Sequence, residues 1–337
     1  MTIKDVAEYC GVSISTVSRV INNHPDVSNE VRERVSQAIR DLHYVPNDSA
    51  RLLVKTDSRT IGVIVRGEGN PFFSELLLAI EKEAEKYSYI ISIRQIKPDD
   101  DELATGASLA RSERLKGLIF LGGRSDYTPK DVRTINTPFI CCSYSNQFGS
   151  LDEQSYSSVS IDDYKESYKA VRYLIDHGHK TIGIVQNGTD DHSVSQLRYQ
   201  GYIDALKQAG LDSDSTLVAT TDGYSMRSGY EQTRELLLRR PDITALFVIA
   251  DSLAIAAMKA ASDIGKQVPK DCSIIGIDGI RMSQYVIPSL TTMVQPPEKM
   301  ARLAVQTLVG VIEGSGHHQH HWVNAELQKG GSVARIN

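Results

Sequence analysis

From Thr60 onward the chain repeats one unit, a short unbroken apolar run followed by a longer stretch with helical periodicity. The runs are IGVIV (61–65), YIISI (89–93), GLIFL (117–121), PFICC (138–142), TIGIV (181–185), TLVAT (216–220), ALFVI (245–249) and SIIGI (273–277). Short runs with so few polar residues suit strands buried on both faces, as parallel strands under helices are. Ser74 to Tyr87, Tyr164 to His177, Leu197 to Gly210 and Leu253 to Gly265 supply amphipathic helices between them. Repeated βαβ units build doubly wound parallel sheets. The stretch SVSID (158–162) reads as the start of a second series, so two sheets are expected, in two lobes, with a ligand cleft outside the carboxyl ends of the strands.

The N-terminal segment follows a different rule. Ile3, Val6, Ala7 and Cys10 lie at helical spacing, Gly11 interrupts, and Val17, Val20 and Ile21 resume the period after Ser13. Thr2, with Asp5 in the reciprocal position, caps the first helix and Ser13 the second. Val31, Val35, Ala38, Ile39 and Leu42, after Ser28, form a third helix that covers the other two. Such a pair is a helix-turn-helix, whose second helix enters a DNA major groove. Its outward residues Ile14, Ser15, Ser18, Arg19 and Asn22 are of the types that read DNA. Arg and Asn pair bidentately with guanine and adenine edges, and Ile14 can meet a thymine methyl. Thr2, Ser13 and Thr16 complete the expected DNA-contacting set. On periodicity alone a packed helical hairpin accounts for the same positions. Charge does not single the head out, since residues 1–58 carry seven Lys and Arg against eight Asp and Glu. Helix N-termini and backbone amides can still hold phosphates, so the expectation is weak non-specific binding and specificity that depends on a dimer.

The string TIKDVAEYCGVSISTVSRVINNHPDVSNEVRERV, followed by YVPNDSARLL, resembles the lactose-repressor (LacI/GalR) family of bacterial transcription regulators nearly position for position. The likeness continues through IGVI, NPFF, HGHKTIGIV, SLAIAAM, SIIGIDG and PSLTTMVQP in the family's order. It implies a helix-turn-helix head (1–45), a hinge helix (46–59), and a periplasmic-binding-protein-like body (60–337) crossed three times by the chain. One lobe is expected at about 60–160 plus 291–321, the other at about 161–290 plus 322–337, with GGSVARIN as the closing strand. In the family's A-R-x-L register Leu53 is the minor-groove wedge, an apolar insertion that bends the duplex. The same segment is compatible with a tether whose leucines rest on the body.

The resemblance also implies an effector cleft. Phe72 and Phe73, in Asn70-Pro71-Phe72-Phe73, offer aromatic faces, though either also fits the core side of a helix. Ser143 stands where some sugar-binding relatives have an acid. Arg198 matches a cleft arginine and Tyr224 a stacking aromatic. Asp251 fits either a ligand contact or a helix start, and Asp278 is the strongest acid, because a carboxylate accepts two hydroxyls. Gln295 lies on the last crossing segment. Arg198 and Asp278 also suit a structural ion pair. This set favours a sugar inducer; a purine or phosphosugar acting as co-repressor is the alternative, and a sugar carrier without DNA-binding is a more distant one.

A chain of 337 residues has room for a small head and a two-lobed body, and a net charge of −5 argues against membrane-surface attachment. No apolar stretch is long enough to span a bilayer and no export signal is evident, so a cytoplasmic location is expected. Four cysteines at positions 10, 141, 142 and 272 have neither metal-ligand nor disulfide spacing and read as buried thiols. His317, His318, His320 and His321 sit in a glycine-flanked stretch that reads as a solvated loop, not a metal centre. There is no nucleophile elbow, phosphate loop or HExxH, so neither an enzyme nor a cofactor or metal is expected. The expected partners are a pseudo-palindromic operator in duplex DNA, a small-molecule effector and a second copy of the chain; no leucine heptad follows GGSVARIN to build a tetramer.

Overall fold

The computed structural model describes residues 2–21, 26–42, 58–67, 70–188 and 192–336. Two compact units divide between Ser58 and Arg59. Asn22, Leu53 and nearly all of the proposed hinge (46–59) lie outside the described residues.

In the first unit, α1 (Ile3–Cys10), α2 (Ile14–Ile21) and α3 (Asn29–Asp41) pack around Val6, Ala7, Cys10, Val17, Val20, Val35 and Ala38. The caps are those the residue pattern suggests. Thr2 N donates to Asp5 Oδ2 at 2.6 Å, Thr16 N to Ser13 Oγ at 3.1 Å and Val31 N to Ser28 Oγ at 3.4 Å. Gly11 turns the chain between α1 and α2 at φ 62°, the left-handed region in which a side chain is costly.

The second unit holds β1 (Thr60–Arg66), α4 (Pro71–Lys86), β2 (Ile90–Ile96), α5 (Glu102–Glu113), β3 (Gly117–Leu121), β4 (Phe139–Cys142) and β5 (Ser157–Ile161). There follow α6 (Asp163–Asp176), β6 (Ile182–Asn187), α7 (Val194–Gln208), β7 (Val218–Thr221), α8 (Met226–Arg239), β8 (Ala245–Val248), α9 (Asp251–Asp263) and β9 (Ser273–Asp278). The last elements are β10 (Thr291–Val294), α10 (Pro297–Ile312), β11 (His320–Val323) and β12 (Glu326–Gln328). Two six-stranded sheets result, in the orders β11-β5-β4-β3-β1-β2 and β12-β10-β9-β8-β6-β7, all parallel except for β12. Helix α4 packs against α10 beside the first sheet, and the pairs α6/α7 and α8/α9 flank the second. At Gly201 the helices α6 and α7 approach so closely that a Cβ would stand 2.4 Å from the Tyr164 carbonyl oxygen.

The chain crosses between lobes after β5, after β10 and after β11. Three expectations are corrected. The SVSID strand does not open the second sheet but belongs to the first, between β4 and β11. Residues 291–294 belong with the second lobe, because Thr291–Val294 pairs with β9, and the crossing comes only at the following residues. Residues 330–336 of GGSVARIN are not a strand; the closing strand among the described residues is β12, just before them, and Ser332 ties the segment down by donating to Ile274 O at 2.6 Å. These strands pair with partners remote in sequence, which local periodicity cannot register. The histidine stretch is likewise not a solvated loop: His320 and His321 begin the edge strand β11. Three of its rings meet hydroxyls, His318 Nδ1 with Ser157 at 2.9 Å, His320 Nδ1 with Ser158 at 2.8 Å and His321 Nε2 with Thr307 at 3.0 Å.

Candidate functional site

The carboxyl ends of both sheets face one cleft. Arg66 ends β1, Gly122 and Gly123 follow β3, Ser143 follows β4, Asn187 ends β6, Tyr224 follows β7, and Asp278 ends β9; all line one cavity between the lobes. Gln295, just past β10, and Phe72 and Phe73 of α4 line it as well. Phe72 is buried with the core of the first lobe and adds only a wall, while Phe73 is half-exposed. Gly122 makes room for the Phe73 ring, since a Cβ there would stand 2.7 Å from Phe73 Cζ, and its φ of 65° already favours glycine.

Arg198 is the electrostatic centre. It is 3% exposed; its Nε donates to Asp163 Oδ1 at 2.8 Å, its Nη2 lies 2.7 Å from the same oxygen, and its Nη1 donates to the Ile249 carbonyl. Asp278 Oδ1 stands 3.8 Å from Nη1 and accepts from Gln295 Nε2 at 2.8 Å. Asn70 Nδ2, from the other lobe, reaches Asp278 Oδ2 at 3.2 Å, so one hydrogen bond joins the two walls of the cleft. Burial pushes the Asp278 carboxyl up to about 6 against the pull of Arg198, Gln295 and Asn70. Burial likewise raises Asp163 to about 6, opposed by Arg198. For Arg198 burial opposes the charge, but Asp163 and Asp278 outweigh it and hold the guanidinium above its ordinary value. Asp278 also adopts φ 127° and Ser143 φ 71°, left-handed conformations that cost a non-glycine residue about 1–3 kcal/mol each. Both strained residues face the cleft.

Asp251 is not part of the cavity wall; of its two readings, ligand contact and helix start, the structure shows the second. It is fully buried at the start of α9; its Oδ2 accepts from Gly279 N at 2.8 Å and Ile280 N at 3.0 Å, and its Oδ1 from Thr292 Oγ1 at 2.6 Å. Its acceptor oxygens are taken up by the turn after Asp278 and by β10, so it positions Asp278. Burial, and then the charge of Asp278, push the Asp251 carboxyl well up. Phe72, Phe73, Ser143, Arg198, Tyr224, Asp278 and Gln295 do meet around the cavity. Arg66, Asn70 and Asn187 line it as well and were not among the sequence candidates, although Arg66 and Asn187 end strands of the repeating unit and could have been nominated on that rule. Asp163 had no such signal. Gln295 Oε1 is buried without a hydrogen-bond partner, an acceptor left for a bound group to satisfy.

In the head, Ser13, Ile14, Ser15 and Arg19 are exposed, Thr16 and Ser18 half-buried, and Thr2 is exposed at the start of α1. Ser13 Oγ lies 2.7 Å from Ser15 Oγ and 2.8 Å from Thr16 Oγ1, so three hydroxyls form one cluster at the first turn of α2. Ile14 is 44% exposed. The thiols of Cys141, Cys142 and Cys272 are raised to about 12 by burial, which keeps them protonated and poor nucleophiles. Among the described residues no helix is long and apolar enough to cross a membrane.

A helix-turn-helix head on the same chain as a two-lobed body with a polar, strained cleft defines a class, the DNA-binding regulators governed by a small molecule. Residues 2–47 match the bacterial regulatory proteins of the lacI family, and residues 171–333 match the periplasmic binding protein-like domain. The HTH-type transcriptional regulator MalR of Clostridium butyricum is 40% identical over 342 residues, covering 100% of both proteins. The lac repressor dimer bound to operator and the anti-inducer ONPF superposes with a TM-score of 0.74 at 26% identity, over 99% of each chain. The transcriptional regulator CelR–cellobiose complex gives 0.72 at 27% identity, over 98% of this chain and 99% of that one. The chain belongs to the lacI family and is a ligand-controlled, DNA-binding transcriptional repressor, not an enzyme.

Proposed function

We propose that the effector is a neutral sugar acting as inducer, held between the lobes by Asp278, Arg198 and Gln295 against the faces of Phe73 and Tyr224. The observation that carries this reading is the charge balance of the cavity. Both of its arginines are matched by acids, Arg198 by Asp163 and Asp278, and Arg66 by Glu102 at 3.7 Å. A phosphate would meet the Asp278 carboxylate without a cation left over, whereas a hydroxyl can donate to Asp278 and to the unpartnered Gln295 oxygen. The complex of the structurally similar regulator CelR with cellobiose supports a saccharide as the effector class.

On DNA, Ser15, Ser18 and Arg19 read base edges, Ile14 meets a thymine methyl, and the Ser13–Thr16 hydroxyl cluster and Thr2 bind the backbone of one half-site. Asn22 and Leu53 would add an adenine contact and the minor-groove wedge. A second copy of the chain covers the apolar strip of Leu78 on α4, Ile90 and Ile93 on the edge strand β2, and Met282, Tyr285 and Ile287 between β9 and β10. The two parts of the strip adjoin where Arg281 N donates to Glu75 Oε1 at 2.9 Å. The edge strand would otherwise leave open backbone groups beside exposed Ile90 and Ile93. The domain division proposed is a head at 1–45, a hinge at 46–59 and a body at 60–337.

A thermal-shift screen of monosaccharides, disaccharides, sugar phosphates and purines, run on the full chain and on Asp278→Ala, tests the effector reading. A ligand at 100 times its dissociation constant adds about 2.7 kcal/mol to the state that binds it. A neutral sugar that stabilises the wild type and not Asp278→Ala, and that releases operator DNA in an anisotropy titration, is the expected result. Stabilisation by sugar phosphates or purines alone would refute the neutral inducer.

A further inference from the structure

A second cavity lies beside the first and shares Arg66 and Pro98 with it. Arg66 stands at the junction, its Nε donating to the Pro98 carbonyl at 2.9 Å. The walls of this outer compartment are built, not incidental. Tyr127 N donates to Asn146 Oδ1 at 2.6 Å, Asn146 Nδ2 donates back to Tyr127 O at 2.9 Å, and the Tyr127 hydroxyl donates to Glu102. Arg124 grips Asp126 through Nε and Nη2, both at 2.9 Å. The second lobe contributes His192, whose carbonyl accepts from Ser125 N at 2.9 Å and whose ring lies 5.5 Å from that of Phe148. His192 holds φ 49°, another left-handed non-glycine residue at the cleft.

The chemistry of the outer compartment repeats that of the inner one: aromatic rings at His192 and Tyr127, a guanidinium at Arg124 paired with Asp126, and carboxylates that accept hydrogen bonds. Among the described residues six acids line it, Asp99 and Asp126 included, against two arginines, so a phosphate or carboxylate ligand is repelled and hydroxyls are accepted. We infer that the effector is a saccharide of at least two rings, one in the inner cavity and the next across Arg66 and Pro98 in the outer compartment between Arg124–Asp126 and His192. This rests on the neutral-sugar reading and narrows it from sugars in general to disaccharides or longer. A second ring adds stacking and hydroxyl bonds while the first has already met most of the orientational cost of binding.

Calorimetric titration of the full chain with glucose, ribose, maltose, cellobiose, lactose, adenosine and cytidine tests it, repeated on Asp126→Ala and on His192→Ala, with thermal melts to confirm folding. The expected result is a disaccharide that binds at least tenfold more tightly than any monosaccharide, with that ratio falling toward one in both variants. Two positions outside the apolar cores, on different lobes, keep the test independent of a single misfolded variant. Equal binding of mono- and disaccharides, or a ratio that survives both substitutions, overturns the two-ring inference and leaves the neutral sugar standing. Binding of nucleosides alone, or of no saccharide, overturns both.

Discussion

Asp278 is the residue on which effector recognition should turn, and both substitution and pH can test it. Its carboxylate accepts from Gln295 and Asn70 and leaves room at the cavity for donors from a bound hydroxyl. Hydrogen bonds to charged groups contribute about 1.5–3 kcal/mol, against about 1 for neutral ones. Asp278→Asn keeps the shape but loses the charge and one of two acceptor oxygens, so about 2 kcal/mol of effector binding should go, roughly a 30-fold weaker Kd. The pH dependence follows from the position of the group at about 6 in the free protein. Hydroxyl donors favour the ionised form, so the effector must displace a proton below that value; affinity is constant above pH about 6 and falls by at most about tenfold per unit below it.

The stability of the free protein runs in the opposite sense. Asp163 and Asp278 hold protons more tightly when folded than the ordinary 3.8 of the unfolded chain. The unfolded state therefore binds fewer protons between pH about 4 and 6, and stability from these two groups declines across that window as pH rises, then levels off. Calorimetric titrations at pH 5, 6, 7 and 8, with the disaccharide that scores best in the screen, measure the binding limb. Melting temperatures over the same range measure the other. An Asp278→Asn affinity within threefold of wild type, or wild-type affinity that is level down to pH 5, would show that the carboxylate does not hold the effector.

Arg19→Ala should weaken operator binding by about 1–3 kcal/mol and relax sequence preference at one position of each half-site, seen in a base-substitution series; uniform weakening on all sequences would assign Arg19 to phosphate instead. Asp251→Ala leaves Gly279 N, Ile280 N and Thr292 Oγ1 without their buried acceptor, so the melt should drop by an amount equivalent to about 2–4 kcal/mol, and an unchanged melt would rule out its positioning role. Ile93→Asp, on the exposed edge strand β2, should produce monomers in analytical ultracentrifugation with operator affinity lost and effector affinity kept; a dimer as tight as wild type would place the interface elsewhere.

The outline of the body was legible because parallel strands buried on both faces leave unbroken apolar runs. All eight runs overlap strands, although β2 continues to Ile96 and β7 begins only at Val218, after a single 3-10 turn. Helix α5 was harder to see. Its sequence, ELATGASLARSE, carries Gly106 in mid-helix, where the Phe120 ring leaves no room for a Cβ. Which strand belongs to which sheet was not legible in the periodicity, because Ser157–Ile161 pairs with β11, near the other end of the body's sequence, and no local pattern records that choice; only the resemblance, with its lobe boundary near 160, pointed to it.

The same limit explains why the sequence kept Asp251 open as a ligand contact beside Asp278. Each follows an apolar run and ends or begins an element, and each is an acid that a ligand could use. What separates them is the direction in which the neighbouring chain turns. After Asp278 the backbone folds back, so that the amides of Gly279 and Ile280 point at Asp251 and consume it, while Asp278, at φ 127°, is turned toward Arg198, Asn70 and Gln295. One acid is thereby a fixed support behind the wall, and its amide bonds hold the other in a conformation it would not otherwise keep. Replacing Asp251 should therefore disturb effector binding as well as stability, although the residue never touches the cavity. Asp278→Gly would relieve the backbone and abolish the response to effector, a melt that holds while binding is lost. The strain at Asp278 is thus tied to the carboxylate that faces the cleft.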